Sequence, residues 1–190
     1  MKKHSGLIII GIIILAIILG FIWTGSVYNS FVELEEKVKT QESAVDVALV
    51  RRADLIPNLV STVKGYAAHE EQIINDITKA RENLLKADDI DDKSKANSEL
   101  TRSLNALMVV VENYPDLKAS TNFINLQDEL AGTENRIAIA RKDYNEAAQN
   151  YNTAIKKFPK NILAAMFDFD DVDYFEATEE QTKVPEVNFN

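Results

Sequence analysis

Residues Leu7 to Trp23, LIIIGIIILAIILGFIW, run without a charge or a strongly polar side chain. At about 1.5 Å rise per residue this stretch makes a helix of about 25 Å. Thr24, Gly25, Ser26 and Val27 extend it toward the roughly 30 Å of a hydrocarbon core. Trp23 closes the run with the kind of aromatic that sits at the lipid–water boundary. A secretory signal peptide is the competing reading, because Lys2 and Lys3 also precede the run. Its apolar core would be about 7–15 residues and end in an Ala-x-Ala-like site. This run is longer, and Thr24-Gly25-Ser26 is a poor match, so a retained anchor is expected. With no Cys in the chain, lipoprotein processing is excluded. Lys2, Lys3 and the α-amino group stand on one side of the span, and Lys37 and Lys39 lie among acids on the other. The positive-inside rule therefore leans toward a cytoplasmic N-terminus and an extracytoplasmic soluble part in the cell membrane.

The rest of the 190-residue chain is long enough for a core of its own. Its formal charge of −9 is uneven. Residues 160–190 hold eight acids against Lys160 and Lys183. That balance argues against nucleic acid, and against anionic lipid headgroups as general partners, since both need a basic face. Six Gly and four Pro leave few tight turns, which is an α composition.

Beyond the span, apolar residues recur with a period near 3.5. Val27, Phe31, Leu34, Val38, Val45 and Ala48 form a narrow seam of the bundle type. Pro57 interrupts it by removing a donor and clashing with the carbonyl four residues back. The spacing predicts helix 1 over about 27–53 and helix 2 over about 55–87, with Asp54 as N-cap of the second. Helix 3 is expected from about 94 to 113, capped by Asp92 or Ser94 and ended by Pro115. Helix 4 is the longest, with Phe123, Leu130, Ile137, Tyr144, Tyr151 and Phe158 on its seam and Pro159 at its end. Short connections between long helices predict antiparallel neighbours. The expected architecture is all-α: a single N-terminal transmembrane helix followed by an antiparallel four-helix bundle. The domains are a membrane anchor over 1–26, a helical bundle over 27–159 and an acidic, aromatic tail over 160–190. Ile162, Leu163, Met166 and Phe167 suggest that the tail folds back at its start, and 178–190 reads as loose.

Catalytic chemistry finds little to use. His4 and His69 are the two histidines. His69-Glu70 lacks the second His one turn later that a zinc peptidase needs, so His69 reads as a helix-surface residue. There is no glycine-rich phosphate loop. Asp88–Asp92 and Asp168–Asp173 gather carboxylates without the glycine turn and ligand spacing of a calcium loop. No enzyme activity, metal or cofactor is expected.

Several strings are more specific than generic helix sequence: Arg51-Arg52-Ala53-Asp54-Leu55-Ile56-Pro57-Asn58-Leu59-Val60, Tyr114-Pro115-Asp116-Leu117-Lys118, Glu134-Asn135-Arg136-Ile137-Ala138, Ala140-Arg141-Lys142-Asp143-Tyr144-Asn145 and Tyr151-Asn152. Together and in this order the chain resembles the LemA family of bacterial membrane proteins. The resemblance implies one membrane helix, an antiparallel four-helix bundle and no catalytic activity. Because members are often encoded beside membrane metallopeptidases, it also implies such a protein as a partner to consider.

Two readings of the polar signature residues stand side by side. Arg52, Asp54 and Asn58 at the proline are read as partners for freed backbone groups, or as a docking surface for another protein. Arg141, Asn145 and Asn152 are read as a polar network setting register against helices 1 and 2. The function expected is a membrane-anchored, non-catalytic interaction or scaffold module of the bacterial envelope. Its protein partner is unknown. The alternatives are a homo-oligomeric structural membrane protein, since such seams also serve self-association, and a non-catalytic subunit of a membrane peptidase system.

Overall fold

A computed structural model of the chain describes residues 2–67 and 69–176. All regular structure among them is helical: α1 (Lys2–Tyr66), α2 (Glu71–Lys86), α3 (Ile90–Val111), α4 (Pro115–Lys118), α5 (Thr121–Lys156) and α6 (Lys160–Met166). The expected loose segment 178–190 lies outside the described residues.

The apolar run occupies the N-terminal part of α1, the one helix here long and apolar enough to cross a membrane. From Ile9 to Trp23 its large apolar side chains are all exposed. Each would contribute about 1.5–3 kcal/mol on leaving water, so the protein alone gives this segment no reason to be helical in aqueous solution. The first buried side chain on α1 is Val27, and the seam then takes over through Phe31, Val38, Val45 and Leu49.

Described separately, the chain forms two compact units. One contains the residues up to Thr40 with Glu146–Val172. Its core holds Val27, Phe31 and Val38 from α1, Tyr151 and Ile155 from α5, and Leu163 and Ala164 from α6. Phe169 packs edge-on against Tyr28 and Phe31, with ring centroids 5.5 and 5.2 Å apart, and Phe167 meets Tyr28 at 5.2 Å. The start of the tail packs through Leu163, Ala164 and these rings. Ile162 and Met166 stay exposed.

The second unit contains, among the described residues, those of Gln41–Asn145 and 173–176. Here α2 packs on α3, and the buried seams are Ile56, Leu59 and Val63 on α1, Ile74, Ile77 and Leu84 on α2, and Leu100, Leu107 and Val111 on α3. Phe123, Leu130, Ile137 and Tyr144 are the large buried side chains of α5.

Helix boundaries differ from the sequence-based ones in three places, each with a local cause. Helix 1 does not stop at 53. It runs through Pro57 to Tyr66, so Asp54 caps nothing. Pro57 has no N–H for the carbonyl of Ala53, which is fully buried. That carbonyl instead accepts a hydrogen bond from Arg81 Nε on α2 at 2.8 Å. A side chain from outside the helix supplies the donor that proline removed, and the helix has no need to end. The break falls later, at residues 67–70, where His69 lies exposed in a turn rather than on a helix surface. Helix α3 begins at Ile90, earlier than expected, because Asp89 is its N-cap and accepts from the Asp92 amide at 2.7 Å. Asp91 and Asp92 then sit in the first turn, where the helix dipole favours them. Pro115 stands at the first position of the short α4, where a missing N–H costs nothing.

Arg81→Met leaves the Ala53 carbonyl buried and unsatisfied, and is expected to destabilise by about 1–3 kcal/mol. Pro57→Ala restores the intrahelical donor, so Arg81→Met should cost clearly less in that background. Thermal unfolding of the four chains in detergent closes this cycle. Equal costs with and without the proline would show that Arg81 does not act through the carbonyl.

Candidate functional site

The signature residues divide into groups once their partners are known. Arg52 on α1 is 3% exposed. Its Nη1 donates to Asn97 Oδ1 on α3 at 2.6 Å and forms an ion pair with Glu134 on α5. Its Nε is buried without a hydrogen-bond partner. Burial pushes the guanidinium below its ordinary pKa while the Glu134 carboxylate pulls it back up. Asp54, two residues on, is exposed, and so is Asn58, whose carbonyl accepts from Thr62 Oγ1. Arg52, Asp54 and Asn58 thus do not converge on one place: the first is buried and the other two are exposed. On a helix, residues two apart diverge by about 200°, so Asp54 points away from the groups that Arg52 reaches. Arg81 serves the carbonyl that the proline leaves free.

A second finding is the N-terminal half of α3, which buries polar side chains where a seam would be apolar: Lys93, Ser94, Asn97 and Ser98. Each of the first three meets a partner from α1 or α5. Lys93 Nζ lies 3.0 Å from Glu42 and 2.8 Å from Asp46, one helical turn apart on α1. Burial opposes its charge, and the two carboxylates more than offset this, leaving its pKa raised. Ser94 Oγ accepts from Arg141 Nη2 at 3.2 Å, and Asn97 takes Arg52. Two carboxylates against one lysine and two arginines against Glu134 bring the cluster close to neutrality, which lets these charges tolerate burial.

The hydrogen bonds of Arg141, Asn145 and Asn152 go to the segment after α6 and, for Arg141, also to Ser94 on α3. They hold the extended segment after α6. In the second unit Asn145 Nδ2 donates to the Phe175 carbonyl and its Oδ1 accepts from the Phe175 amide, both at 2.9 Å. Arg141 Nη2 donates to the Glu176 carbonyl at 2.9 Å, and its guanidinium lies 5.1 Å from the Phe175 ring centre. Tyr144 OH donates to the Asp173 carbonyl at 2.9 Å. In the first unit Asn152 repeats the double bond on Val172, donating at 2.8 Å and accepting at 2.9 Å. A carboxamide carries the same donor and acceptor as a peptide group, so each Asn satisfies both backbone groups of one extended residue, as a neighbouring strand would. Asn145 and Asn152 are seven residues apart, two turns of α5.

Beside Arg52 a cleft of about 530 Å³ opens between α1, α3 and α5. Leu59, Leu104, Leu107, Met108 and Leu130 supply its apolar wall, and Arg52 and Glu134 its charged end. Among the described residues no group of three or more His, Cys, Asp or Glu side chains is placed to hold a metal ion.

The comparisons with known proteins bear on these same elements. A model of the LemA family matches residues 41–189, most of the chain. The chain belongs to the LemA family. Magnetosome proteins MamQ 1 and MamQ 2 of Paramagnetospirillum magneticum are each 31% identical over 175 residues, covering 78% of this chain and 64% of theirs. The chain thus spans less than two thirds of the length of these relatives. Protein LemA of Metamycoplasma hominis is 27% identical over 161 residues, covering 84% of this chain and 73% of its own. The family match takes in Arg52, Arg81, Asn97, Glu134, Arg141 and both asparagine clamps.

Arg52→Ala is expected to destabilise the protein by about 1–3 kcal/mol, since it empties a buried site and strips Asn97 of its donor. Asp54→Ala should stay within about 0.5 kcal/mol of the parent. Thermal unfolding of both variants in detergent checks the contrast, and similar losses would refute the assignment. Tyr144 gives a pH test. Burial first, then the carboxylates of Glu42 and Asp173, push its phenol from 10.0 up to about 12. Its folded pKa is raised, so the stability tied to the neutral phenol is fully present below about pH 10 and is lost as the pH rises toward 12. A loss on the order of 2–3 kcal/mol across that window is expected. Tyr144→Phe should flatten it in alkaline unfolding curves.

Proposed function

We propose that this LemA-family protein is a membrane-anchored, non-catalytic interaction module. In this reading residues 1–26 are the anchor, 27–159 form an antiparallel four-helix bundle and 160–190 are a tail, clasped by α5 at residues 172–176. The bundle stands on the extracytoplasmic side, and it docks another protein of the envelope at the cleft beside Arg52. The observation that carries the reading is that cleft. Met108 and the half-buried Leu104 of α3, with Ala131 of α5, open over the buried Leu59, Leu107 and Leu130, next to a buried arginine that is already held by Asn97 and Glu134. A rigid, half-apolar cleft with a fixed charged end suits an apolar side chain and an adjoining polar group of a partner. The relatives' names carry no enzymatic activity, which favours binding over turnover.

Arg52, Glu134 and Asn97 are positioning residues in this proposal, and Leu104, Met108 and Gln127 are the contacts. The test is photo-crosslinking in living cells from positions 108 and 127, with position 136, an exposed site outside the cleft, as control. One dominant partner captured from the two cleft positions and absent from the control is the expected result. Self-crosslinks alone would favour the homo-oligomeric structural protein. Identical capture from all three positions would remove the cleft as the docking site.

A further inference from the structure

In the first unit, the corner between α5 and α6 does not carry the surface of a helix end that faces water. Phe158, expected on the buried seam of α5, is 81% exposed, and Ile162 and Met166 on α6 are each 60% exposed. Leu163 and Ala164, beside them in sequence, are buried, so α6 is firmly packed and still presents apolar side chains outward. From Asn150 to Phe167 the chain contains Lys156, Lys157 and Lys160 and no acid. Lys156 is engaged by Asp171 at 2.7 Å, and Lys157 and Lys160 have no ion-pair partner among the described residues.

The position of this corner is set by the span. Trp23, Lys157, Phe158, Pro159 and Lys160 line one cleft of about 500 Å³. Trp23 ends the apolar run of α1, where an indole belongs at the boundary between hydrocarbon and water. The rings of Phe167 and Phe169 against Tyr28 and Phe31 hold the segment following α6 within about 12 Å of Trp23 along α1. Exposed apolar groups and two lysines thus share one cleft with the residue that closes the apolar run. The overall charge of −9 had argued against anionic lipid as a general partner. At the cleft itself the fold places Lys157 and Lys160, a local pair of cations that the average hides, with Asp168, Asp170 and Asp171 following α6.

We propose that the α5–α6 corner is a second membrane contact. Phe158, Ile162 and Met166 enter the interfacial layer of the bilayer from which α1 emerges, and Lys157 and Lys160 pair with the phosphates of anionic phospholipids. Lysine stems reach up along apolar surface with the ammonium at headgroup level, and aromatic and aliphatic side chains fill the space beneath. The contact fixes the tilt of the first unit on the membrane, which one span alone leaves free. It rests on residues Leu7–Trp23 crossing the bilayer.

The test uses full-length protein reconstituted into phosphatidylcholine vesicles with and without phosphatidylglycerol, the acyl chains brominated near the headgroup to quench indole fluorescence. Trp23 is the sole tryptophan, so the parent chain reports on the anchor alone. Phe158→Trp in a Trp23→Phe background reports on the corner. Lys37→Trp in the same background, about 21 Å further along α1, is the control. Unfolding curves matching the parent establish that each variant is folded.

The expected result is a blue-shifted, quenched indole at 158 that responds to phosphatidylglycerol, and an unquenched one at 37. Lys157→Glu with Lys160→Glu should abolish the response to phosphatidylglycerol, each lysine accounting for about fivefold in partition. A quenched Trp23 with an unquenched indole at 158 overturns the second contact and leaves the anchor standing. Loss of quenching at Trp23 itself overturns the span and the inference with it. Equal quenching with and without phosphatidylglycerol overturns the pairing with anionic headgroups. A blue shift that bromine does not quench, and that grows with protein-to-lipid ratio, identifies a second copy of the chain as the occupant and overturns the lipid contact.

Discussion

The hydrogen bond from Arg81 to the Ala53 carbonyl is what permits α1 to be one helix. Proline inside a helix removes one donor and crowds the carbonyl four residues earlier, and a buried carbonyl left unpaired costs more than a helix end does. With Arg81 in place, the membrane segment, the seam of the first unit and the buried residues of the second all belong to one helix. Arg52 lies one residue before Ala53, and its line to Asn97 and Glu134 depends on the helical phase being kept through Pro57. The same guanidinium that caps the carbonyl ties α2 to α1.

A second constraint is the need to finish the chain. After α6 the backbone becomes extended, with no sheet to receive its polar groups. Asn145 and Asn152 each satisfy both groups of one residue, Phe175 and Val172, and Arg141 and Tyr144 take further carbonyls. The side chains that looked like a network between helices clasp the start of the tail, and Arg141 also bonds Ser94 of α3. Their chemistry explains the choice of residue. An aspartate in either asparagine position offers no donor to the carbonyl, and a leucine offers nothing.

Much of the fold was legible because it is periodic. The apolar run, the seams through Phe31, Ile56, Ile77, Leu107 and Tyr144, and the all-α class follow from spacing that a single chain displays. Capping was less legible. Asp89 lies in a cluster of aspartates, any of which can cap, and only the backbone geometry selects one. The partners of Arg52 and Arg141 were not legible at all, because Asn97 and Glu134 are distant in sequence from the first, Ser94 and Glu176 from the second, and the polar half of α3 has no apolar period to reveal its burial. Phe158 fits the seam of α5 by spacing. Spacing cannot tell that the packing stops before it is reached, and the ring stays exposed.

The sequence by itself determined that this protein is helical, has a segment suited to a bilayer and belongs to the LemA family. Those properties depend on hydrophobic periodicity, run length and local strings, all of which are local along the chain. Tertiary structure alone decided that Pro57 does not end its helix, that Arg52 pairs with Glu134 and not with Asp54, and that the α5–α6 corner shares a cleft with Trp23. Each of these is a question of which group reaches a buried donor, acceptor or charge across a large sequence separation. Burial makes an unpaired group costly, and it is the packing of distant segments that settles which partner arrives.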